Sequence, residues 1–265
     1  GSHEVRGRTL GIVGYGNIGS QLSVIAEALG LSVIFYDLDD KLALGNARKC
    51  ASLDELLEEA DVVSLHVDGR PGNAGLFGDD EMSKMKPRAL FLNLSRGIAV
   101  DTAALRKHLE SGHIAGAALD VFPVEPKAQG TPFESELRGI PNVILTPHVG
   151  GSTQEAQKDI GRFVASKLRA FTKSGSTSLS VNFPELMVRS DHDRHRLAHV
   201  HRNAPGVLAR INAILGDHRV NIESQQLNTR GELGYVVTDV SEAVSDEVLT
   251  ELAVLPETVR LRQLS

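Results

Sequence analysis

Three residue types spread between positions 96 and 148 could together oxidise an alcohol: Arg96, Glu125 and His148. An arginine clamps a carboxylate through two parallel hydrogen bonds, which a lysine does less well. A histidine takes a hydroxyl proton near neutral pH, and a carboxylate beside it raises its pKa and steadies the imidazolium. Singly, each reads equally well as a capping or surface charge. Together they need a hydride acceptor, and Gly14-Tyr15-Gly16-Asn17-Ile18-Gly19 offers a place for one. With 25 glycines in the chain a bare G-x-G-x-x-G is weak. Here it directly follows an apolar run and opens a helical stretch reaching about residue 29. In that context Gly14 makes a tight turn, Gly16 admits a pyrophosphate, and Gly19 lets helix pack on strand. The helix N-terminus supplies donors to the phosphates. Asp37 ends the next apolar run, 18 residues beyond the last glycine, where an acid accepts ribose hydroxyls and repels a 2′-phosphate. NAD is therefore favoured over NADP. The bland alternative is a structural glycine turn with a solvated aspartate.

The elements that must position these residues are short. Residues 9–14, 32–37, 60–67, 89–95, 114–121 and 142–148 are rich in aliphatic side chains and lack polar alternation, as strands buried on both faces do. Helical segments lie between them: Ser52 and Glu55 form an S-x-x-E capping box, and 101–111 reads as another helix. This alternation predicts an α/β fold with a doubly wound, Rossmann-type parallel sheet, placing Arg96, Glu125 and His148 at or just past the carboxyl ends of strands, where ligands bind. A second box, from Ser152 to Glu155, opens a helix over 152–171. On it Ile160, Phe163, Val164, Leu168 and Phe171 recur at helical spacing, an apolar face expected to seek a partner. Residues 172–180 are small and polar, a linker by composition. From 194 the order is strand, helix, hairpin around Gly231, helix, strand: a βαββαβ ferredoxin-like module.

The 265 residues suffice for about two domains, and 41% hydrophobic with 23% charged residues describe a protein with packed cores. A net charge of −6 argues against a nucleic-acid partner. No apolar run approaches the ~20 residues of a membrane helix. The single cysteine, Cys50, forbids an intrachain disulfide and fits a reducing, cytoplasmic setting; it reads as a packed residue rather than a nucleophile. Gly1-Ser2-His3 resembles the scar of a cleaved purification tag.

Three ordered motifs carry a specific resemblance. Asn93-Leu94-Ser95-Arg96-Gly97, then Ala118-Leu119-Asp120-Val121-Phe122 with Glu125-Pro126, then Thr146-Pro147-His148-Val149-Gly150-Gly151-Ser152-Thr153 resemble the D-2-hydroxyacid dehydrogenase family, from about Val5 to the C-terminus. The resemblance implies catalytic Arg96, Glu125 and His148, and NAD contacts at Asn17, Ile18, Asp37, Leu94, Ser95, Arg96, Asp120 and His148 with Val149, Gly150 and Gly151. Asp120 would hold the nicotinamide carboxamide. The branch it most resembles implies oxidation of D-3-phosphoglycerate to 3-phosphohydroxypyruvate in serine biosynthesis, by a homo-oligomer, dimer or tetramer.

The tail agrees. His199-Val200-His201-Arg202-Asn203-Ala204-Pro205-Gly206 and Val220-Asn221-Ile222 resemble a serine-binding ACT regulatory domain. The resemblance implies L-serine as effector, held by His201, Asn203 and Asn221, the last from a neighbouring subunit. A metal at His192, His195, His199 and His201 is the rival reading, disfavoured because no nearby cysteine completes a ligand set. The expected layout is tag scar 1–3, NAD-binding domain 4–151, returning helix of a truncated substrate domain 152–174, linker 175–193 and ACT domain 194–265. Lacking the N-terminal half of the substrate domain, such a fragment would bind NAD but turn over substrate poorly. A second departure from the family is local: Asp68-Gly69-Arg70-Pro71 replaces the usual prolines in the loop over adenine and substrate. Two other functions stay open, a dehydrogenase for another 2-hydroxy acid and a non-catalytic NAD sensor. A substrate panel on the full-length parent separates the first, and a His148 substitution, which should abolish the parent's turnover if it is an enzyme, separates the second.

Overall fold

The computed structural model describes residues 3–126, 132–189 and 195–264. The chain divides into two compact units, Gly1–Thr153 and Gln154–Ser265.

In the first unit, β1 (Thr9–Val13), α1 (Asn17–Ala28), β2 (Ser32–Tyr36), β3 (Arg48–Lys49), α2 (Leu53–Glu59), β4 (Val62–Leu65), α3 (Asp79–Lys84), β5 (Ala89–Asn93), α4 (Thr102–Glu110), β6 (Ile114–Leu119) and β7 (Val143–Leu145) follow in order. The seven strands form one sheet, β3-β2-β1-β4-β5-β6-β7, parallel throughout. Successive strand residues feed opposite cores. Leu10, Ile12, Val33 and Phe35 pack with Ala26 of α1, whereas Val13, Ile34, Val63 and Leu65 pack with Leu56 and Leu57 of α2. At β1, β2 and β4 both faces are dry, which is why these strands show no alternation in sequence, whereas Leu90 of β5 and Ile144 of β7 are exposed.

The expected α/β, doubly wound fold is what the chain adopts. All six expected strands end earlier than their apolar runs, which moves site residues out of the sheet. β6 stops at Leu119 and β7 at Leu145, so Asp120 and His148 stand in loops. At β7 the cause is Pro147, which has no N–H to donate, followed by His148 in the left-handed region at φ 53°. The Ser52 box is half formed. The Ser52 hydroxyl accepts from Glu55 N at 3.1 Å, but Glu55 Oε2 takes the Ala51 N–H at 2.6 Å rather than that of Ser52.

The second unit opens with α5 (Gln154–Ser174) and continues through β8 (His195–Arg202), α6 (Val207–Asp217), β9 (Ile222–Arg230), β10 (Leu233–Val240), α7 (Asp246–Ala253) and β11 (Thr258–Leu264). This is the expected βαββαβ order, in an antiparallel sheet β11-β8-β10-β9. One face buries Leu197 and Val236 against Ile211 and Leu215 of α6 and Val248 and Leu252 of α7. The other buries Ala198, Tyr235, Val237 and Leu264 against Phe183, Leu186 and Val188. The stretch read as a linker therefore covers a sheet face over 175–189. Its hydroxyls satisfy its own backbone: Ser176 Oγ and Thr177 Oγ1 donate to the carbonyls of Leu186 and Pro184. Residues 190–194, with His192 and the first residue of the expected strand, lie outside the described residues. On α5, Ile160, Phe163, Val164 and Leu168 are exposed, while Phe171 lies under the guanidinium of Arg262. No described helix is long and apolar enough to cross a membrane.

Candidate functional site

The carboxyl edge of the parallel sheet gathers the residues singled out in unit 1. Gly14 takes φ 93°, and a Cβ there would stand 2.6 Å from the His66 carbonyl oxygen, so only glycine makes this turn. Gly19 packs α1 onto the turn, where a Cβ would meet Gly14 O at 2.3 Å. At Gly16, the N-cap of α1, a Cβ would meet nothing within 4 Å. That open space above free helix N–H groups is a cradle a side chain would fill, and it suits a pyrophosphate. Asp37 accepts the Tyr15 N–H at 2.7 Å and the Asp39 N–H at 2.9 Å, which fixes its carboxylate beside the glycine turn with lone pairs to spare for hydroxyls. Asn17 and Ile18 on the first turn of α1, Leu94 after β5, and Val149 through Gly151 after β7 are all exposed along this edge. The donor set and the open glycine fit a dinucleotide.

Two loops carry the reactive groups. After β5, buried Asn93 organises its own turn: its Oδ1 accepts from Ser95 N at 3.0 Å and Ser95 Oγ at 2.9 Å, and its Nδ2 donates to Arg96 O at 3.1 Å. Arg96 is thereby presented outward, with Nη1 on Ser95 O at 2.6 Å. Gly97 then passes so close to Phe122 that a Cβ would overlap its carbonyl carbon. This contact ties the arginine loop to the loop bearing Glu125.

After β7, Nδ1 of His148 meets Glu125 Oε2 at 2.8 Å, and Glu125 Oε1 accepts the Phe122 N–H at 3.0 Å. Burial raises the Glu125 carboxyl, but these two bonds outweigh it and leave its pKa below the ordinary value. The carboxylate fixes the imidazole proton on Nδ1, leaving Nε2 as the basic nitrogen. Asp120 braces the same loop. It is buried and accepts from Thr146 Oγ1 at 2.6 Å, Val149 N at 3.0 Å and Gly150 N at 2.9 Å. Burial again works upward and is again overcome, so its pKa is lowered. Arg96, Glu125 and His148 thus share the edge with the glycine turn. Sequence reasoning missed Asn93, Thr146 and Gly97 as supports. All three sit inside the quoted motifs, which is the signal that could have found them.

In unit 2, His199 and His201 of β8 are buried, whereas His195 is exposed. His201 Nδ1 donates to Arg202 O at 2.9 Å, and its Nε2 is buried and without a hydrogen-bond partner among the described residues. The Thr258 hydroxyl donates to Leu252 O at 2.7 Å, so the 2.7 Å contact with His199 Nε2 runs from the ring N–H to the hydroxyl oxygen. His199 Nδ1 is then an orphan acceptor. Burial, helped by His201, pushes the His199 pKa down to about 4. Asn203 donates from Nδ2 to Gly231 O at 3.1 Å, at the hairpin end of the sheet. Asn221 is exposed at the opposite end, where its carbonyl accepts from Ser241 N at 3.1 Å. One chain does not bring Asn203 and Asn221 together. Among the described residues no group of three His, Cys, Asp or Glu can hold a metal ion.

Comparison with known proteins places both units. The pattern of the D-isomer specific 2-hydroxyacid dehydrogenase NAD binding domain matches residues 1–150, and that of an AHAS small subunit-like ACT domain matches 197–260. D-3-phosphoglycerate dehydrogenase of Escherichia coli (strain K12) is 49% identical over 266 residues, covering 100% of this chain and 65% of the relative. The Dictyostelium discoideum protein of that name is 46% identical over 262 residues, 99% of this chain and 64% of the relative. The chain thus spans about two thirds of the length of these relatives. Among solved structures, D-2-hydroxyisocaproate dehydrogenase superposes with a TM-score of 0.60 at 30% identity, over 67% of this chain and 56% of that one. A D-lactate dehydrogenase from Sporolactobacillus sp gives 0.59 at 36% identity over the same shares.

Proposed function

The chain belongs to the D-isomer specific 2-hydroxyacid dehydrogenase family, and from that premise we propose that it carries the NAD-binding and regulatory parts of an enzyme oxidising D-3-phosphoglycerate to 3-phosphohydroxypyruvate. The observation that carries this reading is the His148–Glu125 pair beside an open dinucleotide cradle. His148 Nε2 takes the proton of the substrate 2-hydroxyl as that carbon becomes a carbonyl. Glu125 stabilises the imidazolium so formed and keeps its proton on Nδ1. Arg96 pairs with the substrate carboxylate through its fork of N–H groups and holds C2 in register. NAD, held by the glycine turn, Asp37 and the loops at Ser95 and Val149, supplies the acceptor for the hydride leaving C2. Residues 4–151 serve as the nucleotide domain and 194–265 as the ACT domain, in a cytoplasmic enzyme of serine biosynthesis.

L-serine is the effector in this reading. The orphan Nε2 of His201 is a polar group left for a ligand, and Asn203 stands two residues beyond it. Because Asn221 lies at the other end of the sheet, a site using all three takes Asn221 from a second copy, so the protein works as a homo-oligomer. NAD-dependent turnover of D-3-phosphoglycerate, measured beside D-lactate and D-glycerate, tests the substrate. Preference for either unphosphorylated acid moves the chain to another branch of the family. Activity surviving His148→Asn sinks the mechanism. Calorimetry with L-serine, against D-serine, tests the effector.

A further inference from the structure

The glycine turn holds a tyrosine whose hydroxyl the reading above leaves unused. We propose that Tyr15 is a positioning residue for the ribose acid: its hydroxyl fastens the loop that follows Asp37 to α1, and this sets the preference for NAD over NADP. The proposal rests on the reading of the glycine turn and Asp37 as the NAD site.

Tyr15 is buried, with its ring stacked on Phe35 of β2 at 3.8 Å between centroids. A phenylalanine would fill that place, so the hydroxyl needs a reason of its own. A buried hydroxyl without partners is costly, and this one uses both of its roles. Ser23 Oγ gives its single hydrogen to Ser20 O at 2.7 Å. The 2.6 Å contact between Tyr15 and Ser23 therefore runs from the tyrosine hydroxyl to the serine oxygen. The Leu44 N–H donates in turn to the tyrosine oxygen at 3.2 Å. The hydrogen bonds thus run in one direction, from Leu44 through Tyr15 and Ser23 to Ser20 on the first turn of α1.

The same residue grips the other end of that loop. Tyr15 N donates to Asp37 Oδ2 at 2.7 Å, so the backbone of Tyr15 holds the acid while its side chain holds Leu44. Leu38 and Leu42, between the two anchors, are exposed and give the loop no core of its own. Asp37 Oδ1 also accepts the Asp39 N–H at 2.9 Å, which makes the carboxylate follow any shift of the loop. Past Leu44 the chain is held again, by Asn46 N on Glu27 Oε2 at 3.0 Å and Asn46 Nδ2 on Leu31 O at 3.1 Å. Losing the tyrosine hydroxyl therefore loosens the stretch beside the acid while the rest of the loop stays docked. A 2′-phosphate on the ribose needs room at this corner and an acid turned away. A loop pinned at both ends denies it both.

Calorimetric titration of this chain with NAD+, and displacement of NAD+ by NADP+, tests it in Tyr15→Phe and Ser23→Ala. The first keeps the stacked ring and removes the hydroxyl. The second keeps the tyrosine bonded to Leu44 and removes only the link to α1. The ratio of NAD+ to NADP+ affinity should fall about tenfold in Tyr15→Phe, and by a smaller factor in Ser23→Ala. A ratio in Tyr15→Phe within about twofold of the unsubstituted chain, whether both affinities hold or both drop together, overturns the positioning role. If the unsubstituted chain fails to bind NAD+, or shows no preference for it, the site reading itself falls and the proposal with it. If it binds and prefers NAD+ and the ratio does not move on substitution, only the proposal falls.

Discussion

Nδ1 of His148 sits 2.8 Å from Oε2 of Glu125, and the histidine holds a left-handed backbone at φ 53° to make that contact. Such a conformation costs a β-carbon-bearing residue roughly 1–3 kcal/mol and persists only where its surroundings impose it. Asp120 imposes it here, accepting the N–H groups of the next two residues. The carboxylate partner and the strained loop together fix the His148 ring through Nδ1 and leave Nε2 outside that contact.

Glu125→Gln keeps a hydrogen-bond acceptor near Nδ1 but removes the negative charge that steadies the imidazolium. Turnover should fall about 10²-fold while NAD+ affinity stays within a factor of two. Steady-state kinetics with calorimetry on the same preparation check this. An equal loss in NAD+ binding would assign Glu125 a structural part instead.

The two outer functions of the glycine turn separate by substitution. At Gly16 a Cβ meets nothing, so Gly16→Ala should leave stability within about 0.5 kcal/mol yet weaken NAD+ at least about tenfold. At Gly19 a Cβ collides with the Gly14 carbonyl, so Gly19→Ala should cost about 3 kcal/mol in urea unfolding.

Asp120→Asn removes a carboxylate that takes three donors, and should cost about 2 kcal/mol near pH 7. The sign follows from the depressed pKa of Asp120: its contribution is present above the unfolded value near 3.9 and is lost as pH falls through the lower folded one. The gap between the two proteins should therefore close in acid. A gap that stays constant down to pH 2 contradicts the assignment.

His199 titrates in the opposite chemical sense but with the same slope. It is neutral in the fold to about pH 4, whereas an unfolded imidazole charges near 6.5. Between those values the unfolded state binds the extra proton, so stability drops as pH falls, by up to about 3 kcal/mol. The unfolding of unit 2, followed by hydrogen exchange of β8 amides, should weaken over that window, and His199→Gln should flatten the slope.

Arg196 and Asp239 form a buried pair, with Nε on Oδ1 at 2.5 Å and Nη2 on Oδ2 at 3.0 Å. Arg196→Met removes the guanidinium from a buried carboxylate that keeps the Ser224 hydroxyl, and should cost about 3–5 kcal/mol. Pairing it with Asp239→Leu should recover most of that loss in a double-mutant cycle, because the buried charge is gone.

Much of this was readable in advance. Strands buried on both faces announce themselves as unbroken aliphatic runs, and the βαββαβ order follows from periodicity and a hairpin glycine. The misses have physical causes. Asp120 and Val121 are as buried as strand residues, so the apolar run overshot the end of β6. Helix α3 buries only Met82, too little for a periodic signal. Residues 176 and 177 look like linker because serine and threonine are small and polar, yet here those hydroxyls replace ladder partners for a buried segment. The candidate side chains Arg96, Glu125 and His148 are legible by type and position, whereas the acids and amides that hold them declare themselves only through distances.

The last turn of α5 is fastened to the four-stranded sheet. The carbonyls of Thr172, Ser174 and Gly175 take hydrogen bonds from Arg262, Arg196 and Tyr235, three side chains on three strands. A 21-residue helix is about 30 Å long. Anchored at one end, it is a lever arm: tilting the sheet by about ten degrees sweeps the Gln154 end through about 5 Å, on the rise per residue of an α-helix. A tilt of the sheet by about ten degrees, on the order of a neighbouring-strand twist or less, therefore becomes a displacement about as wide as a strand spacing at the far tip.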